Sequence, residues 1–244
     1  KLNSSILSMD EISKICADNH DSIYVDVIDT EMKSLFIYPI LVNRVCYASI
    51  VVQVTQQLTQ MENIIVERGG SVLALELAKR QLLTEVHNKK IHDFYSDLLK
   101  NENPNLLYQQ GLEHGINLKN DLFTIKVELS NHNELGTIQT PVHRFVSRMN
   151  YHFREEEKII FGNNNKVSIL FSVKHPSERS SVIKKLNTIL TEWEQNDGKK
   201  LYAGIGMMYK GIESIKKTDA DATKALTYRS SQKRTGSIEF SEIG

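Results

Sequence analysis

Cysteine is almost missing from this chain: 244 residues contain two, Cys16 and Cys46, thirty positions apart. Two thiols with no second pair exclude a zinc cluster readable from spacing and argue against a disulfide framework, which fits a reducing cytoplasm. Net charge is missing as well, because thirty basic residues balance thirty acidic ones. That balance leaves no overall positive field to draw in nucleic acid or an anionic membrane, so direct DNA binding by these residues would need a local patch. Long apolar runs are lacking too. The run "LFIYPILVNRV" is broken by Pro39, Asn43 and Arg44, well short of the roughly 18 residues of a membrane-spanning helix. No signal-peptide pattern precedes it, and no membrane partner is expected.

What is present, 40% hydrophobic and 25% charged residues, is the composition of a globular chain long enough for two domains with real cores. The opening "KLNSSILSMDEISKICADN" lacks an initiator Met and reads as the start of a fragment. Within it, Ser8 to Glu11 has the capping-box pattern of a helix start, with Ile12, Ile15 and Cys16 on a short apolar face. "SIYVDVI" and "LFIYPILVNRVCYASIVVQV" predict strands, the second stretch a hairpin turning near Asn43. Tyr24, Tyr38 and Tyr47 fall on these strands. They are candidates for lining an effector pocket, and core packing explains each of them at least as well.

From Thr59 to Lys100 the periodicity becomes helical. Ile65, Val72, Leu75, Leu82 and Val86 recur at intervals of seven, three, seven and four, a coiled-coil-like seam expected to pair two copies of the chain. The competing expectation is that this stripe covers the first sheet within one molecule. Gly69 and Gly70 lie inside the helix, where each costs about 1 kcal/mol in propensity, so close packing of two backbones or a local break is expected there. His87 and His92 are five apart and point about 140° from each other, unlike metal ligands four residues apart on one helix face. Ile91, Phe94, Tyr95, Leu98 and Leu99 trace a second apolar face that ends before "NENPN" with its Pro104. The expected domains are 1–58, which holds the predicted strands; 59–108, a helical connector and dimerisation segment; and 109–244.

In the last of these, "LFTIKVEL" predicts a strand and "TPVHRFVSRMNYHFREEE" a helix opened by Thr140 with Pro141 at its first position. "KIIFGNNNKVSILFSV" predicts a hairpin whose tight turn is Gly162, Asn163, Asn164 and Asn165, residue types that tolerate positive φ. A helix closing at Gly198, the strand "LYAGIGMMY", a helix over "IESIKKTDADATKALTYRSSQ" and the strand "SIEF" follow. The order β-α-β-β-α-β-α-β begins with the split βαβ, ferredoxin-like plan: an antiparallel sheet with helices on one face. The fold class is α+β. The pairs Lys184/Lys185, Lys199/Lys200 and Lys216/Lys217 read as solvated surface. "GIGMMYKG" lacks the third glycine of a dinucleotide fingerprint, and its glycines are expected to let a strand leave the sheet.

The stretch "GSVLALELAKRQLLTEVHNKKIHDFYSDLLK", the hairpin, "YAGIGMMYKGIESIKKTDADATKAL" and "GSIEFSEIG" together resemble transcription regulators of the PucR/CdaR type. The strongest points of resemblance are the LALELAK helix, the Gly-Ile-Gly strand with Ala222, Ala225 and Leu226, and the closing Phe240 to Gly244. The resemblance implies a GAF- or PAS-like sensory domain, a central domain similar to the Gly-Gly-Asp-Glu-Phe cyclases, and a C-terminal helix-turn-helix that would begin after Gly244. It also places the hairpin where the cyclase signature would sit. Gly162 matches its first glycine, but Asn163, Asn164 and Asn165 stand where a second glycine and two carboxylates would be, and Val167 follows near the aromatic position. Neutral amides are poor ligands for the metal ions that stabilise charge on a transferring phosphate. Glu128, on the first strand of this domain, is either a remnant of the upstream metal ligand or a carboxylate at the solvent edge. The expectation is therefore no enzyme, no catalytic residue and no cofactor, but a homodimeric cytoplasmic regulator. An unidentified small molecule would act on the sensory domain, and DNA would be reached only through the C-terminal module. The alternative is a non-catalytic nucleotide or cyclic-dinucleotide receptor using the hairpin domain.

Overall fold

The computed structural model describes residues 21–27, 33–42, 45–130, 141–197 and 200–243. The helix start expected at Ser8 to Glu11, the turn at Asn43, and the helix-end residues Thr140 and Gly198 lie outside these residues. The chain mixes α and β structure and divides into two compact units, with the division falling between Glu85 and Val86.

The first unit contains an antiparallel sheet in the order β1-β2-β3, formed by β1 (Ile23–Val27), β2 (Lys33–Val42) and β3 (Val45–Val54). Its strands are rich in β-branched and aromatic residues, which fit a half-buried pleated surface. Pro39 sits in the central strand without breaking a ladder on both sides: β1 pairs only as far as Ile37, so at Pro39 the one neighbour is β3. The register shifts just beyond it, between Ile40 and Leu41. The long helix α1 (Gln60–Lys100) begins at a capping box in which the Thr59 amide donates to Glu62 Oε2 (2.7 Å) and the Glu62 amide donates to Thr59 Oγ1 (3.3 Å). The helix runs unbroken through Gly69 and Gly70. Gly70 is buried against a side chain, not a second backbone, since a Cβ there would collide with the Tyr38 ring, whereas Gly69 faces open space.

The second unit holds α2 (Pro104–Glu113), β4 (Asp121–Leu129), α3 (Pro141–His152), β5 (Glu157–Asn163), β6 (Lys166–Val173), α4 (Pro176–Asp197), β7 (Leu201–Ile205), β8 (Tyr209–Lys210), α5 (Ile215–Ser231) and β9 (Gly236–Glu239). The sheet order is β5-β6-β4-β7-β9, with the short β8 also pairing with β4. Neighbours are antiparallel except β7 and β9, which run parallel, so the sheet is mixed and not purely antiparallel as expected. Helices cover both of its faces, not one. Phe123, Ile125 and Val127 of β4 share one core with Phe145 and Met149 of α3 and Leu186 and Trp193 of α4. Leu122, Ile159, Phe161 and Leu170, on the opposite face, share another with Ile91, Phe94, Tyr95 and Leu98 from the end of α1 and Leu107 of α2.

Helix α5 lies on this second face, and the Gly-Ile-Gly glycines have a packing role there beyond the expected one. A Cβ on Gly204, within β7, would run into the backbone at Leu226 and Ala222, and one on Gly206 would run into the backbone of Thr218. These glycines bring a helix into contact with the sheet, and the strand ends at Ile205, directly before Gly206.

Candidate functional site

Helix α1 is apolar on two opposite sides. Asn63, Val66, Gly70, Ala74 and Leu77 form its half-buried to buried side, at the helical spacing that places them around Gly70 and the Tyr38 ring. Ile65, Val72, Leu75, Leu82 and Val86 are 53% to 74% exposed. At 3.6 residues per turn they centre about 170° around the helix from Gly70. The face that meets the first sheet is thus the reverse of the seam, contrary to the competing expectation that the seam covers that sheet.

The hairpin domain carries the other expected site. Asn163 pairs with Lys166, so the turn is Asn164 and Asn165 alone, and only Asn164 has a positive φ, 55°. Gly162 and Asn163 are strand residues. Gly162 pairs with Val167, and a Cβ there would collide with Val142 of α3, so helix packing and not turn geometry requires this glycine. Asn165 is fastened to the end of β4: its carbonyl accepts from the Leu129 amide (2.8 Å), and its Nδ2 donates to the Leu129 carbonyl (3.3 Å) and to Glu128 Oε1 (3.4 Å). Glu128 lies on the central strand of the sheet, not at its edge. An Asp at 165 would set a second negative charge beside Glu128, as a metal site requires; the amide donates a hydrogen bond to it instead. Among the described residues, no group of three or more His, Cys, Asp or Glu is placed to hold a metal ion.

The three tyrosines separate. Tyr38 lines a cleft of about 480 Å³ together with Pro39, Glu67 and Ser71. Tyr24 is not part of that lining; its ring lies 4.9 Å from Phe36, and its hydroxyl accepts from the Leu58 amide at the approach to α1. Tyr47 lies on β3, and its side chain is outside the described residues.

A half-buried polar group joins the end of α1 to α5 and β4, and sequence reasoning missed it. The Tyr95 hydroxyl donates to Asp219 Oδ1 (2.5 Å), and Lys126 Nζ lies 3.0 Å from Asp219 Oδ2. Burial first, and then the negative charge of Asp219, push the Tyr95 hydroxyl well above its ordinary range. Nearby on α5, Asp221 accepts from the Tyr209 hydroxyl (2.8 Å), and desolvation together with this carboxylate pushes Tyr209 up to about 12. Tyr95 and Lys126 are far from Asp219 in sequence, so no local spacing announces that group. Lys185 also departs from the solvated-surface expectation: its Nζ is 2.6 Å from Glu156 and stands over the Phe153 ring. His87 is exposed, and the His92 ring meets the edge of Phe161.

No helix among the described residues is long and apolar enough to cross a membrane. The chain matches no protein-family model, and no curated protein matches it.

Proposed function

We propose that this chain is the regulatory portion of a transcription regulator resembling the PucR/CdaR type, acting as a homodimer. A small-molecule effector acts on the GAF- or PAS-like part in 1–58, α1 transmits the change, and the ferredoxin-like, cyclase-like domain has lost cyclase chemistry. DNA is contacted by a helix-turn-helix module outside these residues. The observation that carries this reading is the exposed seam of α1, set opposite the side of the helix held by Tyr38. Fully burying a Val, Leu or Ile side chain stabilises by about 1.5–3 kcal/mol. Ten such side chains from two copies, each with 53% to 74% of its surface left to bury, contribute about 10–19 kcal/mol against the roughly 4–15 kcal/mol that association costs. Further support comes from the sheet order β5-β6-β4-β7, which the ferredoxin-like plan requires, and from the amide that replaces a carboxylate beside Glu128. Paired helices suit this role because helix-turn-helix modules bind two half-sites, and a shift between two arrangements of the connectors changes their spacing.

Changing Leu75 and Leu82 together to Glu tests the reading, because charges buried in a seam disrupt pairing while exposed ones leave a monomer folded. The expected result is a folded monomer in sedimentation with an unchanged circular dichroism spectrum, where the parent chain is a dimer. A double variant that unfolds, or one that sediments like the parent, contradicts it.

A further inference from the structure

The dimer reading leaves the direction and register of the two helices open, and the residues around the seam settle both. The exposed apolar stripe extends to Met61, and only with the exposed Arg68 and Lys79 included does it run to Val86 in alternating steps of four and three, the spacing of heptad positions a and d. Position a is held by Ile65, Val72, Lys79 and Val86, and position d by Met61, Arg68, Leu75 and Leu82. We infer that α1 pairs with α1 of a second copy in parallel and in register, with Arg68 and Lys79 forming two charged layers that keep the pairing weak and reversible.

Three observations support this geometry, which rests on the dimer proposed above. β-Branched residues at a with leucine at d favour two parallel strands, and three of the four a positions here are Ile or Val. In a parallel pair, position g of one helix faces position e of the next heptad in the other. Glu85 is at g and Lys90 at the following e, and both are exposed, so each copy brings an acid to the other's base. An antiparallel pair sets g against g and e against e, and the two residues do not meet. Register follows from the charged layers. In register, Arg68 meets Arg68 and Lys79 meets Lys79, so the disturbance is confined to two layers. A slip of one heptad places each of them against apolar partners and spreads the disturbance over four. Like charges facing each other in the seam weaken pairing, which leaves room for an effector to shift the balance between paired and separated connectors.

Charge reversal on exposed residues tests the inference without touching a core. Glu85→Lys and Lys90→Glu are each expected to weaken dimerisation in sedimentation equilibrium by roughly threefold to tenfold, and the double variant to restore it. Lys79→Ile should tighten the dimer by tenfold or more. A dimer that is insensitive to the single reversals, or that is not restored by combining them, overturns parallel pairing. Unchanged association in Lys79→Ile overturns the weak layer. A parent chain that stays monomeric at every concentration removes the underlying dimer, an outcome distinct from either.

Discussion

Along one helix, Ile91, Phe94, Tyr95 and Leu98 are at most 9% exposed, whereas Ile65, Val72, Leu75, Leu82 and Val86 are at least 53% exposed. Both groups recur at helical spacing, and both would be drawn as the inner face of an amphipathic helix. The first meets a sheet that supplies Leu122, Phe161 and Leu170 as partners. The second lies on the reverse of the side that Tyr38 occupies. Periodicity therefore identifies an apolar stripe, but only the position of other elements decides whether the stripe stabilises the fold or remains available to another chain.

The largest contrast is expected from truncating one residue of each group. Leu98→Ala removes a buried side chain and should cost about 2–5 kcal/mol of stability, read from chemical denaturation. Leu75→Ala should change stability by no more than about 0.5 kcal/mol at concentrations where the chain is monomeric, while weakening association. Equal costs for the two would mean that the seam is part of a monomer core.

The paired glycines give the same contrast on a smaller scale. Gly70→Ala forces the Tyr38 ring to move and should destabilise by about 1–3 kcal/mol. Gly69→Ala meets nothing and should stabilise the helix by up to about 1 kcal/mol. Thermal melts of the two variants should therefore shift in opposite directions.

The smallest effect lies in the alkaline range. Tyr209 has an ordinary value near 10 and is pushed up to about 12 in the fold. Below about 10 both states keep the proton and the contribution is complete; as pH rises from there toward 12 the unfolded chain ionises first, and stability is lost. Tyr95 shifts in the same direction. Tyr209→Phe should flatten the fall in stability over this interval, measured by denaturation at successive pH values; an unchanged slope would mean that the Asp221 contact does not hold the proton.

Much of this structure was legible in the sequence. The asparagine turn, the Thr59 to Lys100 helix and the alternation of elements after Asp121 rest on local signals, because turn chemistry and hydrophobic period act over a few residues. The helices on both faces of the second sheet were not anticipated, although a sign was present: "VSILFSV" in β6 is nearly continuous in apolar residues, as strands covered on two faces are. The roles of Gly162, Gly204 and Gly206 were not legible, because each depends on how a helix near it in the chain packs back onto the sheet. Nor was that of Asp219, whose partners Tyr95 and Lys126 come from α1 and β4. The seam residues were legible as a stripe, but the choice between facing outward and covering the first sheet was not.

Sedimentation velocity of the unaltered chain, from sub-micromolar to tens of micromolar at physiological salt, asks whether the exposed stripe finds a second copy. Pairing through α1 predicts a concentration-dependent rise from the 27.9 kDa monomer to twice that mass. A single 27.9 kDa species at every concentration would contradict pairing through α1 and remove the basis for a paired connector.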